Sequence, residues 1–110
     1  MAFYLGTVEL PTQKKQQMVD ITGAVTINEN TDPDVQTDIL NALERAVPQK
    51  GKYYKHEEGN AHAHAKAALV GSSETVPVQG GKLLLGTWQA IYFCEFDGPR
   101  NRKLTVTVMG

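Results

Sequence analysis

The chain has 110 residues, with 11 basic and 12 acidic side chains, 41% hydrophobic residues and a single cysteine. This composition is typical of one small soluble domain, and the net charge of -1 excludes a global positive field that would attract nucleic acid. One cysteine cannot form an internal disulfide, and no apolar run approaches the roughly 20 residues of a membrane helix. Met1 is not followed by the stretches typical of a signal peptide. We therefore expect a cytoplasmic protein with one domain over 1–110, and neither nucleic acid nor membrane as a partner.

The first half of the chain predicts short strands followed by a helix. Strands are indicated by β-prone residues over 3–10, 18–22 and 24–28. Asp32 can cap a helix, Pro33 suits its first position, and apolar side chains then recur at helical spacing until Pro48 ends the pattern.

The second half predicts a short helix and then mostly strands. Asn60 can cap an alanine-rich helix that ends at Gly71, a residue that readily adopts the left-handed conformation. Strands are indicated over 73–78, 82–85, 88–96 and 103–109. Two helices among a majority of strands predict the α+β class, with one large sheet or a β-rich, sandwich-like single domain.

A polar stretch that holds all three histidines is the best local signal for a metal or acid–base site. Neutral imidazoles bind transition metals, and a carboxylate such as Glu58 can complete the shell. If His62 and His64 are helical, they lie about 200° apart around the axis and cannot both ligate one ion. His56 precedes the helix and can fold back, which makes a His56 and His64 pair the more plausible ligand set. Surface imidazoles on a polar loop are an equally good interpretation.

Further polar residues lie at predicted strand ends and turns. Asn28 and Glu29 follow a predicted strand and precede a predicted helix. They either contact a bound ligand or only form the turn and cap the helix. Trp88 can stack on a heteroaromatic ring and Gln89 can hydrogen-bond to one, although a lone tryptophan is more often part of a core. Arg100 belongs to a small basic group that is either a phosphate clamp or a solvated loop.

Four sequence blocks resemble those of the YjbQ-like family, whose members are described as secondary thiamine-phosphate synthases. The blocks are AVTINENTDPDV at 24–35, HEEGNAHAHAKAALVG at 56–71, SETVPVQGGKLLLGTWQAI at 73–91 and FCEFDGPR at 93–100. The resemblance extends over nearly the whole chain from Met18 onward.

The resemblance implies a β-rich domain that forms a homotrimer with a metal-capable polar pocket. His56 and His64 match the family's histidines, whereas His62 stands where many members have an acidic residue. The positions that match polar or aromatic pocket residues are Asn28, Glu29, Asn60, Trp88 and Gln89.

The implied activity is that of a transferase, which joins a pyrimidine methyl diphosphate to a thiazole phosphate. For this chemistry we expect a divalent cation, zinc or magnesium, on His56 and His64. Glu29 or Glu58 would be a ligand or proton acceptor, and Arg100 would bind phosphate. A noncatalytic trimer that binds a metal and a phosphorylated metabolite is the alternative.

One feature departs from the family pattern. Family members usually carry a helix, a strand and a His-Thr-Thr motif, about 20 residues in all, where Gly23 here runs directly into Ala24. Either the protein lacks this segment, or the protein contains it and the sequence, numbered continuously, omits it. We favour the second interpretation, because deletion of a central strand would leave an unpaired edge and a gap in the core.

Overall fold

The computed structural model describes residues 3–21 and 32–110. Two helices and six strands lie in these ranges, and their order confirms the α+β class. In chain order they are β1 (Phe3–Pro11), β2 (Gln17–Asp20), α1 (Pro33–Ala46), α2 (Ala61–Val70), β3 (Val78–Gln79), β4 (Lys82–Leu83), β5 (Tyr92–Glu95) and β6 (Asn101–Met109).

The strands of the described ranges pair two by two, all antiparallel, as β1 with β6, β2 with β5 and β3 with β4. The longest pair runs from Phe3 opposite Met109 to Pro11 opposite Asn101. Side chains alternate along it, so that Val8 and its partner Leu104 are half-buried while threonines face outward. The first and last strands of the sequence are thereby joined in one ribbon.

Helix α1 begins and ends where its capping residues predict. Asp32 Oδ1 accepts a hydrogen bond from Asp34 N at 2.9 Å, and Pro33 occupies the first turn. The helix ends at Ala46, just before Pro48. The prediction for this element is confirmed.

Helix α2 is also confirmed, although its N-cap works differently. Asn60 makes no side-chain capping bond: its Nδ2 donates to Asp97, and its Oδ1 is buried without a hydrogen-bond partner. Gly71 ends the helix with a φ of 81°. Ala63 is buried, whereas Leu69 is exposed.

The core of the described part lies where α2 meets the β2–β5 pair. Buried apolar side chains there are Met18, Ile21, Ala63 and Phe96. Four polar side chains are buried with them: Thr12, His62, Lys66 and Glu95. Polar groups therefore contribute as many buried positions as apolar ones, which makes their pairing important for stability.

Three predicted strands are too long. Strand pairing within the segments predicted at 73–78, 82–85 and 88–96 is limited to Val78–Gln79, Lys82–Leu83 and Tyr92–Glu95. The first two segments add one bond beyond their ladder, from Leu84 N to Pro77 O at 2.9 Å, and the third begins in a turn at Thr87 and Trp88. The predicted strand over 24–28 lies outside the described residues.

Candidate functional site

His56 and His64 come together at the start of helix α2. Their ring centres are 5.2 Å apart and the ring planes are nearly perpendicular, at 89°. The loop 51–59 before the helix positions His56, and the first turn of α2 positions His64. His62 points to the opposite side and is completely buried. The structure thus brings together the two imidazoles that the sequence singles out and separates the third.

The spacing of this imidazole pair suits a shared ion. Two imidazoles on one tetrahedral ion, about 2.1 Å from each ligating nitrogen, have ring centres roughly 5 Å apart. Glu58 Oε2 lies 3.8 Å from His56 Nε2, although the Glu58 side chain is 74% exposed. Within residues 3–21 and 32–110, no group of three or more His, Cys, Asp or Glu side chains is arranged to hold a metal. The described residues therefore offer two imidazole ligands, and Asn28 and Glu29 lie outside them.

His56 and His64 each line a hollow. One has a volume of about 410 Å³ and is lined by His56 together with Lys50 and Tyr54. The other has a volume of about 470 Å³ and includes His64 and Arg100. Each imidazole of the pair therefore shares a hollow with a basic side chain.

Asp97 organises the wall of the larger hollow. Asn60 Nδ2 donates to Asp97 Oδ2 at 3.0 Å, Arg100 Nη2 donates to the same oxygen at 3.3 Å, and Lys15 Nζ donates to Oδ1. The hydrogen bonds from Asn60 and Lys15 hold the pKa of Asp97 well below its ordinary value. This carboxylate stays charged and keeps the Asn60 amide and the Arg100 guanidinium in place.

Glu95 is a second carboxylate in the same wall, and unlike Asp97 it is fully buried. Arg102 binds it with two parallel hydrogen bonds, of 2.9 and 2.8 Å, and Thr12 Oγ1 donates to it at 2.7 Å. Burial by itself would raise the pKa of Glu95, but the bonds from Arg102 and Thr12 outweigh it and lower the pKa to about 2. Arg102 is thus committed to an internal ion pair.

Trp88 and Gln89 lie apart from the two hollows. Neither residue belongs to the described lining of either hollow. Trp88 is 75% exposed, so it is not a core residue, and Gln89 Oε1 accepts a hydrogen bond from Gly86 N at 2.7 Å. The structure does not bring these two predicted ligand contacts to the imidazole pair within one chain.

Lys66 is completely buried, and the sequence does not predict a role for it. Lys66 Nζ donates to Gln16 Oε1 and to Glu44 Oε2, both at 2.6 Å. The bonds from Lys66 and from the Gln49 backbone lower the pKa of Glu44 to about 2. Lys66 lies one turn beyond His62, and burial lowers the pKa of that imidazole, whose ring nitrogens both lack a hydrogen-bond partner.

Asp97, Glu95 and Lys66 are the site-supporting residues that the sequence does not reveal. Their bonds to Lys15, Asn60, Thr12 and Glu44 join residues far apart along the chain, and no local spacing encodes such pairs. The acidic Asp97 close before Arg100 is the one available signal. Cys94 is half-buried, and burial raises the pKa of its thiol, which is typical of an unreactive side chain.

These features define an α+β domain with a paired-imidazole cleft at the N-terminus of a helix. The family model described as "UPF0047 protein YjbQ-like" matches residues 16–110. The chain belongs to this family, as the sequence blocks predict.

Curated relatives support the same assignment. The UPF0047 protein YugU of Bacillus subtilis is 40% identical over 131 residues, which cover 96% of this chain and 99% of YugU. A UPF0047 protein of Methanocaldococcus jannaschii is 52% identical over 89 residues, covering 81% of this chain and 64% of that protein. Since the alignment with YugU is longer than the chain itself, YugU has residues without a counterpart here. The junction of Gly23 and Ala24, where we expect a missing segment, lies outside the described residues.

Solved structures share the fold. An uncharacterised YjbQ/UPF0047 protein of Clostridium acetobutylicum is similar with a TM-score of 0.82 and 44% identity, over 93% of this chain and 97% of that one. A protein of unknown function from Sulfolobus solfataricus is similar with a TM-score of 0.88 and 29% identity, over 96% of each chain. None of the helices in the described ranges is both long and apolar enough to cross a membrane.

Proposed function

We propose that this protein is a transferase of the thiamine-phosphate synthase type, acting on a pyrimidine methyl diphosphate and a thiazole phosphate. The observation that carries the proposal is the close approach of His56 and His64, each of which lines a hollow that also holds a basic side chain. Two substrates that both carry phosphate groups need two neighbouring polar hollows. Because such phosphorylated metabolites are retained inside cells, the proposed reaction takes place in the cytoplasm.

The reaction forms one bond and breaks one bond. The thiazole nitrogen donates its electron pair to the methylene carbon of the pyrimidine, and the carbon–oxygen bond to the diphosphate breaks. Pyrophosphate leaves with that electron pair, and the thiazole becomes a thiazolium. The attacking nitrogen loses no proton, so this step needs no proton acceptor. The role we propose for Glu58 is therefore that of a carboxylate partner of His56, whose Nε2 is 3.8 Å from Glu58 Oε2.

His56 and His64 are the residues that would hold a divalent cation. Such a cation, when bound, neutralises charge on the departing diphosphate. Two imidazoles favour zinc, whereas diphosphate oxygens favour magnesium, and Glu29 is the carboxylate we propose as a further ligand.

Arg100 is the residue we propose for phosphate. Its side chain is 56% exposed, and its bonds to Asp97 use only Nε and one Nη2 hydrogen, so guanidinium N–H groups remain for an anion. Asn60 contributes by sharing Asp97 with it. The opposite charge of Asp97 orients Arg100 and also weakens its attraction for an anion.

That neutralisation favours a second candidate, a noncatalytic homotrimeric module that binds a metal and a phosphorylated metabolite. Arg100 and Arg102 are both paired with carboxylates, so the larger hollow has little net positive charge. A weakly charged hollow suits reversible binding of a metabolite better than the stabilisation of a leaving diphosphate.

The test is product formation by the purified protein with both precursors, in zinc and in magnesium separately. We expect turnover that falls by at least ~100-fold in His56→Gln and in His64→Gln, because each removes an imidazole of the pair. His62→Gln is the matched control on the same helix. Turnover that survives in His64→Gln contradicts the proposal, and saturable binding of the precursors without product favours the noncatalytic module.

A further inference from the structure

Gln89 closes the turn that carries the only tryptophan of the sequence, through two hydrogen bonds with Gly86. Gln89 N donates to Gly86 O at 3.0 Å, which makes 86–89 a β-turn with Thr87 and Trp88 at its centre. In return, Gly86 N donates to Gln89 Oε1 at 2.7 Å. Both polar backbone groups of Gly86 are therefore held by Gln89, one through its backbone and one through its side chain.

This closed turn displays the indole ring instead of burying it. Trp88 is 75% exposed, although tryptophan usually contributes about 150–250 Å² to a core or an interface. The aromatic pairs among the described residues join Tyr53 to Tyr54 and His56 to His64, and so leave the Trp88 ring free. A rigid backbone that holds a free ring outward loses little conformational entropy when that ring binds a ligand.

The surroundings of the turn along the chain indicate what kind of ligand fits. Residues 83–94 include no charged side chain, so the turn offers an uncharged aromatic face. Such a face stacks on a neutral planar heteroaromatic ring and offers no charged group that would bind a phosphate. The anionic part of a ligand would have to be held elsewhere, by residues such as Arg100.

We propose that the turn 86–89 is a preformed stacking platform for a planar heteroaromatic ring, and that Gln89 is its positioning residue. Gln89 acts through its carbonyl oxygen, which closes the turn and holds the Trp88 ring outward. The identification of that ring as the pyrimidine substrate rests on the proposed function. Gln89 itself need not touch the ligand, which revises its expected role as a direct hydrogen-bonding partner.

Three variants separate positioning from contact. Gln89→Glu keeps a side-chain oxygen that can accept from Gly86 N but loses the amide N–H₂, whereas Gln89→Met keeps the size and loses the acceptor. Trp88→Leu removes the platform. Gln89→Glu and Gln89→Met are studied through the fluorescence of the single tryptophan. Quenching of this fluorescence by the pyrimidine methyl diphosphate, and separately by its free alcohol, measures binding. The fluorescence anisotropy of the unliganded protein measures the mobility of the ring.

We expect Gln89→Glu to bind like the wild type, with unchanged anisotropy. Gln89→Met should bind about tenfold more weakly and show lower anisotropy, because the turn is open. Calorimetry should find binding lost in Trp88→Leu. Equal weakening in Gln89→Glu and Gln89→Met overturns the positioning role, and unchanged binding in Trp88→Leu overturns the platform.

Two further results distinguish this inference from the proposed function. Quenching by the pyrimidine without any turnover supports the platform while the transferase fails. An emission maximum that shifts to the red on dilution, in the absence of ligand, shows that Trp88 is covered by a second copy of the chain and overturns the free platform.

Discussion

A single buried side chain, that of Glu95, links three strands. It ends β5, accepts from Thr12 just after β1, and receives two bonds from Arg102 near the start of β6. Its side chain is 2% exposed, so its charge depends on these donors instead of on water. Replacement of the Glu95 carboxylate by an amide weakens its hydrogen bonds from Thr12 and Arg102 at a position that water does not reach, which is costly.

Glu95→Gln should lower the free energy of unfolding by about 3 kcal/mol, measured by urea denaturation at neutral pH. The pKa of Glu95 is about 2 in the folded protein, below its ordinary value of 4.5, so the carboxylate stabilises the fold above pH 4.5. That contribution is lost as the pH falls from 4.5 towards 2. The loss of stability over this range should therefore be smaller in Glu95→Gln than in the wild type.

Asp38→Asn, on the exposed side of α1, is the control for Glu95→Gln. It should leave both the stability at neutral pH and the acid sensitivity unchanged. Parallel acid profiles for the wild type and Glu95→Gln would show that Glu95 is not a source of the acid sensitivity.

The sequence reveals a residue's role where the role depends on near neighbours along the chain. The separation of His62 from His64 follows from the helical repeat, and the structure agrees with it. The exposure of Trp88 does not follow in this way, because the hydrophobicity of the side chain indicates a core and the closed turn is formed by a specific side-chain bond. Nor does the contact of Lys66 with Glu44, two residues from different helices.

The same distinction holds at the scale of elements. Both helices begin and end as predicted, because caps such as Asp32 and stops such as Gly71 act locally. Strands are predicted too long at 73–78, 82–85 and 88–96, since β-propensity does not indicate how far a partner strand lies alongside. The β1–β6 pair joins the two ends of the described chain, and no local pattern encodes that pairing.

An ion pair with a buried lysine links helices α1 and α2. Lys66 in α2 is completely buried and binds Glu44 in α1, together with Gln16 before β2. Because the Glu44 side chain is 41% exposed, its carboxylate stays hydrated when the lysine is removed. The loss should therefore loosen α1 instead of unfolding the whole domain.

Lys66→Met should raise amide hydrogen exchange in α1 by about tenfold and change that of β1 and β6 little. Mass-spectrometric exchange at peptide resolution measures both. Lys52→Met, an exposed lysine in the loop between the helices, is the control. A uniform increase over all elements would contradict the view that Lys66 acts as a local link.

At the scale of the whole molecule, the single chain is more open than its length requires. Its radius of gyration is 15.7 Å, compared with about 13 Å for a compact domain of this size. Leu5 and Met109, at one end of the β1–β6 ribbon, are 59% and 68% exposed. A two-stranded ribbon is marginally stable by itself, so this face gains from a partner.

We expect light scattering after size exclusion to give the mass of three chains, as the family resemblance implies. Met109→Lys should shift the protein towards one chain, because it places a charge on the apolar end of the ribbon. Val78→Lys, at an exposed apolar position of another sheet, should leave the mass unchanged. A wild-type protein with the mass of one chain would contradict the trimer.

Metal binding by the imidazole pair is most directly measured by zinc titration calorimetry of the purified protein and of three single variants. With His56 and His64 as joint ligands, the wild type and His62→Gln should bind one zinc ion per chain. His56→Gln and His64→Gln should each bind at least ~100-fold more weakly. Equal zinc affinity in the wild type and His64→Gln would contradict the account.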